Sequence, residues 1–337
     1  MEAARRWQRC KFEAGWAGIG IPKEFGGRGG TIVEAVIFRQ EEATFDVPQD
    51  ALAVGLGWIA PALIAFGDYG QKTRYLTPLL AGDVVWCQLF SEPDAGSDLA
   101  GLATRASLDG EEWTITGRKV WTTFAHLSDF GLCIARNEAG KHEGLTAFIV
   151  DMKAEGVSVR PIRQMTGGAN FNEVFLNGVR VTDDNRVGAV GDGWRVVIAT
   201  FLYERYGAGL IGRGAYQVLC SMAVTVSGAG RHRRRLVESY IADRIIEFNG
   251  FRTLTALGKG GFPGVEGSIA KLLATRMLDG VYDQALDQLG PAGVAGEQSA
   301  LWQAAFLGVP GLRIGGGTDQ IQLNIIAERI LGLPRDV

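Results

Sequence analysis

The feature that most constrains this chain is a double change of hydrophobic period. Up to about residue 83, apolar residues recur at helical spacing between glycine turns. From Val84 to about Val181 the segments are short, rich in Val, Ile, Thr, Phe and Trp, and broken by turn signals; after Gly191 helical spacing returns in long stretches. A helix buries a stripe of period 3.6 and a strand a face of period 2, so neither pattern can serve as the other. At 337 residues the chain also exceeds a single core. The order predicts an α+β chain: an N-terminal helical domain over 1–83, a β-barrel-like domain over 84–190 and a C-terminal helical bundle over 191–337.

Local signals refine this outline. Gly26–Gly30 reads as a loop, and Thr31 with Glu34 three residues on reads as a capping box for a helix through Phe45. Ala51–Phe66 and Gln71–Leu80 continue in helical period. Asp109-Gly110 marks a hairpin with Trp113–Thr116 returning, and Leu145–Val150, Val157–Arg160 and Val174–Leu176 extend the strand pattern. Trp194–Val226, Leu236–Leu257, Ser268–Leu289, Ser299–Leu307 and Asp319–Leu331 are the expected bundle helices.

Composition excludes several function classes. A formal net charge of −3 gives no electrostatic case for nucleic acid or an anionic membrane surface. Three scattered histidines make no metal site, and the four cysteines (Cys10, Cys87, Cys133, Cys220) lack C-x-x-C spacing and read as reduced, mostly buried thiols. No apolar run is long enough to cross a bilayer, and Met1–Lys11 has no signal-peptide core, so the expected location is the cytoplasm. The 48 glycines, in a chain with persistent apolar periodicity, point to tight turns and close backbone approach to a ligand.

Three motifs suggest what that ligand is. Gly315-Gly316-Gly317-Thr318-Asp319-Gln320 opens an apolar helix and presents backbone N–H groups to an anion or a polarised carbonyl. Ser91-Glu92-Pro93-Asp94-Ala95-Gly96-Ser97-Asp98 combines hydroxyls, a Pro turn and a small-residue loop, with hydrogen-bond donors and acceptors on backbone that a ligand can approach. In Lys119-Val120-Trp121-Thr122-Thr123 an aromatic and a hydroxyl follow a strand. Each alone fits an ordinary turn or core element.

Together, in this order and spacing, the three motifs resemble the acyl-CoA dehydrogenase family over nearly the whole chain. The resemblance implies FAD as cofactor, an acyl-CoA as substrate, a trans-2-enoyl-CoA as product and an electron-transfer flavoprotein as electron acceptor, as in fatty acid or lipid degradation. It places Ser91 at the isoalloxazine edge, Ser97 by the pyrophosphate or the acyl-CoA, Trp121 against one flavin face and the Thr123 hydroxyl near N5. Thr318 and Gln320 match positions that reach the flavin and its nucleotide arm. Gln288-Leu289-Gly290-Pro291-Ala292-Gly293 matches a turn that contacts the adenosine end of FAD across a subunit interface, with Gln288, Gly290 and Gly293 as its contacts. A shared site implies a homodimer or homotetramer, or a heterotetramer with a related chain. Family members usually carry another helix or so before the segment matching Gly15–Ile19. Either the start is misassigned or the N-terminal domain is trimmed.

Many family members carry the catalytic Glu immediately before the Gly-Thr of the C-terminal motif; here that position is Gly316, which keeps only its backbone N–H for the thioester carbonyl. A minority branch carries the base on the first bundle helix just before an Arg, and Tyr203-Glu204-Arg205 makes Glu204 the candidate base. Its pKa is expected to be raised by burial beside substrate. Arg205 is expected to shape the charge there, and Glu204 and Arg205 also fit a plain ion-paired helix surface. The Arg231–Arg235 run reads as a solvated helix start or as a phosphate contact, and the Arg163–Phe175 loop as a substrate border or a glycine-rich turn. Two other functions fit the motifs: a non-catalytic subunit of a heteromeric dehydrogenase, suggested by Gly316, and a flavin oxidase or monooxygenase on the same fold.

Overall fold

A computed structural model describes residues 1–48, 50–208, 216–220, 232–259 and 264–335. Helices precede a block of strands, and helices follow it. In the first block α1 (Glu2–Glu13), α2 (Ile32–Glu42), α3 (Ala60–Phe66) and α4 (Tyr69–Ala81) are formed. The predicted box at α2 is present: Thr31 Oγ1 accepts from Glu34 N at 3.2 Å, and Thr31 N donates to Glu34 Oε2 at 2.6 Å. The helix ends at Glu42, short of the expected Phe45. A second box, Asp68 with Gln71, starts α4 two residues before the expected Gln71.

Ala51–Phe66 is helical as expected, but of more than one type. A 3₁₀ turn at Asp50–Leu52 and a wide turn at Gly55–Ile59 precede α3. A Cβ on Gly55 would stand 2.6 Å from Leu79 Cδ1, so glycine lets this segment approach α4 closely.

The strands are β1 (Trp86–Leu89), β2 (Arg105–Asp109), β3 (Glu112–Thr123), β4 (Phe130–Arg136), β5 (Leu145–Asp151), β6 (Val157–Ile162), β7 (Phe171–Thr182) and β8 (Arg186–Val187). They form one mixed sheet in the order β6-β7-β3-β2-β4-β5-β8, with β1 parallel to β4. The predicted hairpin joins β2 to β3 through Gly110, which has φ 63°.

The chain divides into two compact units, residues 1–164 with 168–203, and 165–167 with 204–337. In the first, the early helices and one face of the sheet share a core of Leu63, Leu76, Leu79, Trp86, Leu132 and Ile149, which Val196 and Val197 join from α5 (Gly193–Ala208). The opposite sheet face closes over Trp113, Ile115, Phe148 and Val174.

The second unit holds α6 (Arg233–Gly258), α7 (Glu266–Leu289), the short α8 (Pro291–Ala295), α9 (Ala300–Ile314) and α10 (Asp319–Ile325). Its core contains Leu219, Ile246, Leu278, Val281 and Val309. Helix α9 runs past the expected Leu307 through Pro310, and α10 passes into a wide turn at Ile326–Ile330. The latter half of the expected Trp194–Val226 helix lies largely outside the described residues. Cys87 and Cys133 are buried, and burial pushes their thiols up to about 12 and about 11; Cys10 is exposed, against expectation. Among the described residues no helix is long and apolar enough to cross a membrane, and no cluster of His, Cys, Asp or Glu could hold a metal ion.

Candidate active site

The candidate residues fall into two groups, one in each unit. In the first unit the chain leaves β1 as Phe90-Ser91-Glu92 and turns at Pro93-Asp94, where Glu92 and Ala95 exchange backbone hydrogen bonds of 3.0 and 3.1 Å. Val120 N donates to Ser91 O at 2.9 Å and ties this loop to β3. Beneath it lies a buried ion pair that the sequence reading did not single out. Lys119 is fully buried, and its three N–H bonds reach Glu92 Oε1 (2.8 Å), Phe90 O (3.0 Å) and Ile134 O (2.8 Å). Glu92 also accepts from the backbone N–H groups of Ala103 at 2.6 Å and Thr104 at 3.0 Å. Burial alone would raise the Glu92 pKa, but the Lys119 charge and these donors outweigh it and hold the carboxyl below its ordinary value. The signal was available in the alternation of β3, which puts Lys119 on the same face as Trp113 and Ile115. A lysine there requires a partner.

Trp121 sits in a β-bulge. Lys119 opposes Val174 and Thr122 opposes Asn172, so β3 carries one residue more than β7 between these pairs. Trp121 has φ 60°, an unusual backbone for a bulky residue; the residue is 58% exposed, and its indole is edge-on to Phe171 at 6.1 Å. Buried Asn172 fixes the bulge, donating to Thr122 O at 3.0 Å and Asn170 O at 3.1 Å. Both its N–H bonds are thereby committed, so its oxygen faces His126 Nδ1 at 2.9 Å, which must carry the proton. Thr122 turns inward and Thr123 is half-buried. Ser91 is half-buried and Ser97 is exposed farther along the loop.

In the second unit α9 ends at Ile314 with Gly315 as its cap, and two left-handed glycines follow, Gly316 (φ 65°) and Gly317 (φ 93°). Thr318 then caps α10, its Oγ1 accepting from Ile321 N at 3.2 Å. A Cβ on Gly316 would lie 2.9 Å from Glu204 Oε1 and 3.6 Å from its carboxyl carbon. Glu204 and Gly316, separated by more than a hundred residues, thus meet directly. Gln320 is exposed on α10. The Arg205 side chain lies outside the described residues.

Gln288 ends α7 buried, with neither amide atom hydrogen-bonded among the described residues. Gly290 (φ 56°) turns the chain into α8, and a Cβ on Gly293 would meet Leu286 O at 2.7 Å, so the turn admits only glycine there. These unsatisfied polar atoms fit a polar ligand at the turn. In the arginine run, α6 begins at Arg233; Arg234 pairs with Glu238, and Arg235 with Asp283 and Asp287. The helix-start reading accounts for both residues, while Arg231 lies outside the described residues.

Models of the N-terminal, middle and C-terminal domains of acyl-CoA dehydrogenase match residues 2–83, 87–179 and 191–331. The chain is 38% identical to acyl-CoA dehydrogenase IpdE1 of Mycobacterium tuberculosis, over 99% of this chain and 89% of that protein. It is 25% identical to the human mitochondrial short-chain specific acyl-CoA dehydrogenase, over 94% of this chain and 80% of the relative. Among solved structures it resembles the Tcur3481-Tcur3483 steroid ACAD, with a TM-score of 0.89, 28% identity and coverage of 100% of this chain and 90% of that one. It also resembles the ChsE4-ChsE5 complex from Mycobacterium tuberculosis, with a TM-score of 0.85, 27% identity and coverage of 99% and 90%. Matched in all three domains and along its whole length, the chain belongs to the acyl-CoA dehydrogenase family, whose members are flavin-dependent oxidoreductases.

Proposed function

We propose that this protein is an FAD-dependent acyl-CoA dehydrogenase that converts a saturated acyl-CoA to the trans-2-enoyl-CoA, with Glu204 as its catalytic base. The observation that carries this reading is the contact between the Glu204 carboxylate and Gly316. In many family members the base stands at the position of Gly316. Here the carboxylate reaches the same place from α5, and a side chain at 316 would displace it. Glu204 takes the α-proton, and the N–H groups of the Gly316 turn hydrogen-bond the thioester carbonyl as negative charge develops on it. Bound FAD would supply the hydride acceptor for the β-carbon, with an electron-transfer flavoprotein as the onward acceptor.

Ser91, Trp121 and Thr123 would hold the flavin ring, and Ser97 its pyrophosphate or the acyl-CoA. Thr318 and Gln320 would contact the ring and the nucleotide arm, and Gln288, Gly290 and Gly293 the adenosine end of a neighbouring subunit's FAD. Arg205 would modulate the charge beside Glu204. The exposed, strained Trp121 suits such a platform, because strain of this kind persists where the surrounding structure enforces it. The division at 1–83, 84–190 and 191–337, the cytoplasmic location and a homo-oligomeric or paired assembly belong to the same reading. Pairing with a related chain gains support from the solved relatives, which are named as two-protein assemblies. The bare glycine at 316 and the steroid ACAD relative together favour a bulky acyl group.

Anaerobic mixing with a panel of straight, branched and polycyclic acyl-CoA esters tests the proposal. The expected outcome is bleaching of the flavin absorbance in the wild type, slowed about 10²–10⁴-fold in FAD-replete Glu204→Gln. Equal rates in the two proteins would remove Glu204 from the chemistry. Bleaching restored only by a copurifying homologous chain would assign this chain the non-catalytic subunit role, and rapid reoxidation by air would favour an oxidase.

A further inference from the structure

The Gly316–Gly317 turn faces Glu204 at one residue and a buried polar clamp at the next. Gln322, fully buried, donates through Nε2 to Gly316 O at 2.9 Å and to Gly317 O at 3.2 Å. Lys271, 4% exposed, donates to Gly317 O at 2.7 Å and to Arg313 O at 3.1 Å. A Cβ on Gly317 would stand 2.6 Å from Gln322 Nε2, so the amide is seated against the backbone itself. Arg313 in turn holds buried Asp319 at 2.6 Å and Asp279 at 2.6 Å, which fixes both ends of the segment. A two-residue turn therefore has both its carbonyls engaged by buried donors, one of them an ammonium.

Local chain geometry alone needs none of this, since left-handed glycines and the Thr318 cap already form the turn. The clamp does something further. In a trans peptide the N–H points opposite to the C=O, and no cis bond occurs among the described residues. Fixing the carbonyls of Gly316 and Gly317 therefore fixes the N–H directions of Gly317 and Thr318, away from Gln322 and Lys271. Hydrogen bonding to a carbonyl also polarises its peptide and strengthens the N–H at its other end. The N–H groups of Gly317 and Thr318, the two that the clamp orients, meet no acceptor among the described residues.

We propose that Gln322 and Lys271 are positioning residues for the dehydrogenation, aligning and polarising the N–H groups that stabilise the enolate-like charge formed as Glu204 removes the α-proton. The inference rests on the proposed function. Its role is distinct from binding: the ground-state thioester carbonyl carries little charge, so the clamp acts mainly on the transition state.

The test uses the FAD-loaded enzyme and a redox-inert acyl-CoA carrying sulfur in place of the β-carbon. This analogue can lose its α-proton but cannot transfer a hydride. Its anion, stacked on oxidised flavin, is read by the long-wavelength absorbance as pH is raised. In Gln322→Met and Lys271→Met the apparent pKa of the bound analogue is expected to rise by about one unit or more, and kcat to fall about 10–100-fold with KM within about threefold. The flavin content should match wild type. An unchanged apparent pKa in either flavin-loaded variant overturns the proposal, whatever happens to kcat. If neither variant holds flavin, the pair serves folding and the proposal is equally overturned. A wild type that never ionises the analogue, yet binds it, refutes the dehydrogenase reading first and the clamp with it.

Discussion

The Ser91–Trp121 region and the Gly315–Thr318 turn reach a similar end, an exposed set of polar groups on rigid backbone, by opposite means. The first is assembled from residues distant in sequence. Its loop is anchored by Lys119 on β3, its bulge by Asn172 on β7, and its register by pairing of both strands. The second forms within a few residues, from a helix end, two left-handed glycines and a threonine cap, with Gln322 and Lys271 bonded to its carbonyls but not required to form it. Where the backbone must be strained with a bulky residue in place, as at Trp121, long-range pairing supplies the constraint. Where glycine removes the strain, local geometry suffices.

The largest break in this comparison is expected at the buried ion pair. Lys119→Met leaves Glu92 charged and buried, which should cost about 3–5 kcal/mol, read as a lower denaturant midpoint. Adding Glu92→Gln should recover part of the loss. The pair also predicts a pH dependence. Glu92 has its folded pKa lowered, so its contribution is complete above its unfolded value of about 4.3 and is lost as pH falls through the folded value. Wild type should therefore lose stability on acidification below pH ~4 more steeply than the double variant does, a difference that acid titration of the near-UV signal would show.

Gly316→Ala should cost less. A left-handed alanine is strained by about 1–2 kcal/mol, and here its Cβ would also press on the Glu204 carboxylate at 2.9 Å. Gly15→Ala is the control, because Gly15 has φ 71° with nothing within 4 Å of an added Cβ. Both variants should lose similar stability, while only Gly316→Ala slows flavin bleaching. Equal bleaching rates would mean that Glu204 can move aside freely, and the local turn would then not control the base.

The smallest effect is expected at the cap. Thr318→Ala removes the hydroxyl that accepts from Ile321 N and should cost about 1 kcal/mol, whereas Thr318→Ser should cost only a few tenths. Loss of flavin affinity in the alanine variant beyond its loss of stability would assign the hydroxyl a second role at the cofactor.

Much of the fold was legible because its signals are local. The Thr31–Glu34 box, the Asp109-Gly110 hairpin and the changes of period near Val84 and Gly191 each act within a few residues, and each appears where expected. The family too was legible, because its motifs are short and occur in fixed order. The segment after Ala51 was legible as helical, but the wide turn at Gly55–Ile59 within it was not. Gln322, on the helix that the Gly315–Gln320 motif opens, was passed over because its role depends on which carbonyls it meets.

The sequence alone determined the alternation of helix and strand, the caps and glycine turns, and the family, since periodicity, propensity and motif spacing are properties of contiguous residues. It also nominated Glu204 and Gly316 separately. Only the tertiary structure decided that the Glu204 carboxylate lies against Gly316, that Lys119 is neutralised by Glu92 under the Ser91 loop, and that Trp121 is turned out by a bulge. Each of these joins chain segments tens to more than a hundred residues apart, and burial, register and charge pairing between such segments are fixed by packing the whole unit.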